Sequence, residues 1–279
     1  MRKLIRKIDA VATNDGDGVK IHRIAGRQLN SVLDPFLMVD EINSDDAADY
    51  IGGFPEHPHR GFETITYMKA GRMRHRDHMG NEDVIESGDV QWMTAGKGVL
   101  HSEMPEQENG LLHGFQIWLN LPANEKMKPA AYRDIRDESI TELNLKQGGL
   151  VRVIAGSLKV NSVDLVGPLP PLSTEPVMLD VMLNSSESVE LEFNKQNTAL
   201  VYVYSGGLNQ ADNELNRRQM GVFSPGESLR LQGGDDGAKV LVFSGKPLNE
   251  PIAQYGPFVM NTVEEVEQAF QDFRQNKLV

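Results

Sequence analysis

The chain has no cysteine among its 279 residues. That excludes disulfides, thiolate metal sites and cysteine nucleophiles, so a bound metal would have to sit on histidine, aspartate or glutamate. An N/O donor set of that kind suits Fe, Mn, Ni, Cu, Co or Zn. Basic residues are in deficit as well: 28 Lys and Arg stand against 40 Asp and Glu, a net charge of −12. Phosphate contacts rely on Lys and Arg, so no direct binding to nucleic acid or to anionic membranes is expected. No apolar run approaches the roughly 20 residues of a membrane span. The opening Met1-Arg2-Lys3-Leu4-Ile5-Arg6-Lys7 is basic but lacks the apolar core of a signal peptide, and a cytoplasmic location is expected. Histidine is scarce and one-sided. His22, His57, His59, His75, His78, His101 and His113 are the full set, and none lies beyond residue 113.

Short strand-like runs are what the chain has in abundance, punctuated by 26 Gly and 14 Pro. Val19-Lys20-Ile21-His22-Arg23-Ile24 alternates as a half-buried strand does, and Asp15-Gly16-Asp17-Gly18 before it reads as a turn. Residues 63–68, 89–93 and 115–119 form further runs bounded by Gly, Pro or Asn. The pattern predicts an all-β chain of sandwich or small-barrel type. A second strand-rich block begins at Leu150 and closes with Lys239-Val240-Leu241-Val242-Phe243. Between the blocks, residues 130–147 are charged and lack strand alternation. The expected division is a first domain over 1–133, a linker over 134–147 and a second domain over 148–279. The blocks echo each other. Residues 65–71 resemble 200–206, and 84–89 resemble 222–227, as in a tandem duplication. Near the end, Thr262 and Glu265 are spaced as a capping box, and Val263, Val266, Phe270 and Phe273 recur at helical spacing. A C-terminal amphipathic helix docked on a sheet is expected.

His57-Pro58-His59 carries the strongest chemical signal. Residues i and i+2 of an extended chain share a face, so two imidazoles can reach one ion. Pro58 has no amide donor and favours extended geometry. His101-Ser102-Glu103 projects an imidazole and a carboxylate by the same period. Two such pairs face to face would make a His3Glu site with positions left open for reactants. Either pair alone is commonly a solvated strand edge; the combination makes the case. His75 and His78, flanking Arg76 and Asp77, read as solvent-facing. His22 reads as a surface residue, and His113 as a packed one. Trp92, Trp118 and the methionines read as core.

The segment Gly53-Phe54-Pro55-Glu56-His57-Pro58-His59-Arg60-Gly61-Phe62-Glu63-Thr64 resembles the first cupin motif as it occurs in the pirin family. Residues 89–104, ending Leu100-His101-Ser102-Glu103-Met104, resemble the second. Asp34-Pro35-Phe36-Leu37 and residues 255–262 are also pirin-like, so the resemblance spans nearly the whole chain. It implies a bicupin of two β-barrel domains with one divalent metal, Fe(II) foremost, in the first. It implies His57, His59, His101 and Glu103 as ligands. Glu63 takes the place of the glutamate that other cupins use, as an alternate fourth ligand or a hydrogen-bond partner of a ligand imidazole. Shifts of 135 and 138 residues put the ligand positions on Glu192, Asn194, Lys239 and Leu241 in the second block, so no site survives there. The implied activity is quercetin 2,3-dioxygenase-like: a flavonol and O2 as reactants, with Glu103 as general base. The alternative is a non-enzymatic regulator that responds to metal or redox state and acts through a protein partner. A monomer is expected.

Overall fold

Runs rich in Val, Ile, Thr, Tyr and Phe, broken by glycines, make most of the chain extended. A computed structural model describes residues 1–170, 172–210 and 213–279. It divides into two compact units, Val11–Ser31 with Phe36–Asp137 and Leu248–Val279, and Met1–Ala10 with Val32–Pro35 and Glu138–Pro247.

The first unit holds every histidine. Its larger sheet is antiparallel, with strand order Ala131–Ile135, Val90–Thr94, Phe62–Ala70, Leu112–Asn120, Phe36–Ser44, Val19–Ala25 and Val11–Asp15. A second sheet orders Phe54–His59, Val99–Pro105, Met73–Asp77 and Glu82–Ile85. The turn at Asp15-Gly16-Asp17-Gly18 joins two paired strands as expected.

The other unit is built on an aliphatic cluster that includes Val151, Val181, Leu191, Val201, Leu229 and Val242. The strand pair matching Phe54–His59 and Val99–Pro105, by chain order and pairing, is Ser188–Glu192 with residues 228–232. Leu191 faces Leu229 where His59 faces Val99, and Val189 faces Leu231 where His57 faces His101. The second copy therefore fills its three histidine positions with Leu and Val. This replaces the expected counterparts. Residues 65–71 and 200–206 do match, and Gly71 and Gly206 both adopt positive φ. The 84–89 echo is out of register: Gly88 precedes the Val90–Thr94 strand, whereas Gly226 follows Gln219–Phe223.

The units also depart from the expected boundaries. Leu4–Asp9 pairs with Gln219–Phe223, which places the start of the chain in the later unit. Residues 248–279 belong to the earlier one. An edge strand takes whichever edge has free backbone donors, and sequence separation does not reveal that. The segment expected as a linker is structured at both ends. Ala131–Ile135 pairs with Val90–Thr94, and Thr141–Asn144 pairs with Leu150–Ala155. These are short edge strands whose exposed charges hide the alternation.

The terminal helix spans Val263–Arg274 with the capping box complete: Thr262 accepts from the Glu265 amide, and the Glu265 side chain accepts from the Thr262 amide. It packs Val266 and Ala269 against Phe258, Met260 and Leu278. Val263 and Phe273 point outward instead, so the buried stripe is narrower than the spacing suggested. No helix among the described residues is long and apolar enough to cross a membrane.

Candidate metal centre

Three imidazoles converge because two strands pair in register. His57 lies opposite His101, and His59 opposite Val99. Pro58 keeps its strand extended, so His57 and His59 present the same face, with their Nε2 atoms 3.0 Å apart. The donor atoms of His57, His59 and His101 all lie within 4.8 Å of one another.

Tautomers decide what this cluster can hold. The His57 Nδ1 is 2.8 Å from the Pro55 carbonyl and the His59 Nδ1 is 3.2 Å from the Pro257 carbonyl. A carbonyl only accepts, so each Nδ1 is assigned the proton. Both Nε2 atoms then carry lone pairs that point at each other. Two lone pairs at this distance repel unless a cation lies between them, and an outer carbonyl that fixes the tautomer is the usual support for a ligating histidine. His101 is buried with both ring nitrogens lacking a hydrogen-bond partner. Burial pushes the His59 and His101 imidazoles well below their ordinary pKa, and the neighbouring imidazoles add to this, so they stay neutral as ligands must. On these grounds the residues fit a divalent metal.

The two candidate carboxylates differ in surroundings. Between His101 and Glu103 the pairing register shifts, and Glu103 comes to lie opposite Phe54. Its carboxylate accepts from Thr66 Oγ1 at 2.7 Å and Gln116 Nε2 at 2.7 Å, and it lines the same cavity as His57 and His59. It stands outside the tight three-nitrogen group. Glu63 accepts from Thr94 Oγ1 at 2.7 Å and lies 3.5 Å from Lys128 Nζ, and burial raises its pKa.

The cavity measures about 630 Å³. Phe54, Met38, Trp118 and Ile21 supply apolar wall. Phe62 is fully buried core, packed against His59 and Trp118. Part of the wall is charged. Arg23 holds Asp40 by two bonds of 2.8 and 2.6 Å and also grips Asp15.

His75 corrects the sequence reading. It is fully buried, with its ring 5.2 Å from that of His101 and 4.9 Å from that of Tyr132. The Met73–Asp77 strand turns Met73 and His75 inward and Arg76 outward, a period of two that the surrounding charges obscured. His78 is exposed, as expected, and His22 is half-buried. His113 lies 3.3 Å from the buried Glu41. Thr66, Gln116 and the Pro257 carbonyl were not legible as site members, because contacts between strands and loops that the tertiary fold brings together, and not spacing along the chain, bring them to the site.

Two barrel units, one with a histidine cluster opening into a cavity and one with an aliphatic interior, define a bicupin. Comparison with known proteins agrees. The Pirin family model matches residues 18–119, and the Pirin C-terminal cupin domain matches residues 178–279. A Vibrio cholerae protein provisionally named quercetin 2,3-dioxygenase is 46% identical over 98% of this chain and 96% of its own. A pirin-like protein of Caulobacter vibrioides is 40% identical over 99% of each chain. The crystal structure of a quercetin 2,3-dioxygenase from Acinetobacter baumannii superposes with a TM-score of 0.91 at 34% identity, covering 100% of this chain and 98% of that one. The chain belongs to the pirin family.

Proposed function

We propose that this protein is a mononuclear metal dioxygenase that cleaves flavonols, with Fe(II) held by His57, His59, His101 and Glu103. The observation that carries the reading is the pair of facing Nε2 lone pairs, each backed by a carbonyl, beside a cavity of about 630 Å³. The names of the close relatives support the same reaction class.

When bound, the ion supplies a Lewis acid that lowers the pKa of a coordinated hydroxyl and holds two reactants side by side. The chain's own groups do the rest. Glu103 takes the hydroxyl proton of the flavonol as general base. Thr66 and Gln116 fix the orientation of its carboxylate from the facing sheet. Phe54 and Trp118 give the planar ring system apolar surface and exclude water around it. Reaction with O2 opens the heterocycle and releases a depside and carbon monoxide. The test is anaerobic loading with Fe(II), then addition of quercetin and oxygen, following loss of flavonol absorbance and carbon monoxide release. Turnover no faster than that of metal-free protein would overturn the proposal and favour a regulator acting through a protein partner.

A further inference from the structure

One of the three imidazoles is supported by the far end of the chain. The Pro257 carbonyl that accepts from His59 Nδ1 lies 198 residues away in sequence. The contact belongs to a continuous seam. The Val259 amide donates to the Arg60 carbonyl at 3.1 Å. Gly61 has φ 89°, and a Cβ there would sit 2.0 Å from the Val259 carbonyl oxygen; a Cβ on Gly98 would sit 2.2 Å from that of Leu278. No side chain fits along this line, so the two stretches of backbone touch directly. Arg60, next to His59 in sequence, is buried and spans the seam. Its Nη1 donates to Asp272 of the terminal helix at 2.7 Å, its Nη2 reaches the Leu278 carbonyl, and its Nε reaches the Lys97 carbonyl. Gln268 in turn donates to Asp272 at 2.7 Å.

His57 is held differently. Its carbonyl partner, Pro55, lies two residues away on the same strand. The two facing imidazoles therefore depend on separate supports, one local and one carried by the C-terminal segment.

We infer that residues 257–278 form part of the metal centre, and that Asp272 is a positioning residue acting through Arg60 to hold His59 on the Pro257 carbonyl. The inference rests on the reading of His57, His59 and His101 as metal ligands. Outer contacts of this kind typically tune metal affinity by about 10–100-fold.

Zn(II) is a suitable probe because it is diamagnetic and leaves imidazole protons visible by NMR. Zn(II) affinity is measured by chelator competition in the unaltered protein, Asp272→Asn and Asp272→Glu, together with solvent exchange of the two Nδ1 protons and the thermal midpoint of the metal-free proteins. The expected result for Asp272→Asn is about a tenfold loss of affinity. Exchange at His59 Nδ1 is accelerated, and exchange at His57 Nδ1 is unchanged. Asp272→Glu, which keeps the carboxylate, recovers affinity relative to the amide. Unchanged affinity and exchange in Asp272→Asn overturn the inference, as does equal loosening of both histidines, which would mark a general loss of stability. Failure of the unaltered protein to bind Zn(II) removes the metal-centre reading itself, and the inference with it.

Discussion

Replacing Glu103 by alanine separates a ligand from a structural carboxylate. In the metal-free protein the loss is limited by rearrangement. Thr66 Oγ1 is already 3.1 Å from Gln116 Oε1, so its hydroxyl has a second acceptor when the carboxylate goes. Only the Gln116 amide donor, 2.7 Å from Glu103, is stranded. A stranded donor costs up to about 1–3 kcal/mol when fully buried and less for the half-buried, cavity-lining Gln116, and removing a buried carboxylate returns part of that. The metal-free protein should therefore lose about 1 kcal/mol in urea unfolding. With metal the loss is larger. A charged ligand disappears, and affinity should fall at least about 100-fold, or about 2.7 kcal/mol. Glu63→Ala is the opposite case. It breaks the Thr94 bond and the Lys128 contact deep in the unit, so it should destabilise the metal-free protein by about 1–3 kcal/mol and leave metal affinity within about tenfold. The measurements are urea unfolding with and without metal and chelator competition. If Glu103→Ala binds metal as tightly as the unaltered protein, or if Glu63→Ala loses affinity to the same degree, the assignment of the carboxylate is wrong.

Two further outcomes concern the seam beside the cluster. Lys126 is 1% exposed and donates to the carbonyls of Gly61 and Val259 and to Asn120, and burial pushes its ammonium down to about 8. The unfolded chain keeps that proton up to about 10.5, so this group's contribution to stability grows as pH rises from about 8 to about 10.5 and is lost as pH falls through about 8. The span is about 3 kcal/mol, and Lys126→Met should abolish this slope in denaturation measured across that window; an unchanged slope refutes the assignment. Gly61→Ala should lower stability by at least about 1–2 kcal/mol from the left-handed backbone alone, with the Val259 clash added, and an unshifted thermal midpoint would contradict the close seam.

Much of this protein is legible from residue order. The absence of cysteine and the placement of seven histidines confine a histidine metal site to the first half. Period-two spacing in His57-Pro58-His59 and His101-Ser102-Glu103 places the candidate ligands on strands, because side-chain direction in an extended chain is a local property. The capping box at Thr262 announces the last helix for the same reason. What residue order leaves open is nonlocal. Strand pairing places residues 1–10 in the later unit, and a backbone bridge with side-chain contacts places residues 248–279 in the earlier one. Pairing likewise buries His75 against His101 and brings Thr66 and Gln116 to Glu103. The tautomer of His59 depends on a carbonyl 198 residues away. Hydrogen bonds and close backbone contacts form between whichever groups the fold brings within about 3 Å, and sequence distance does not set that.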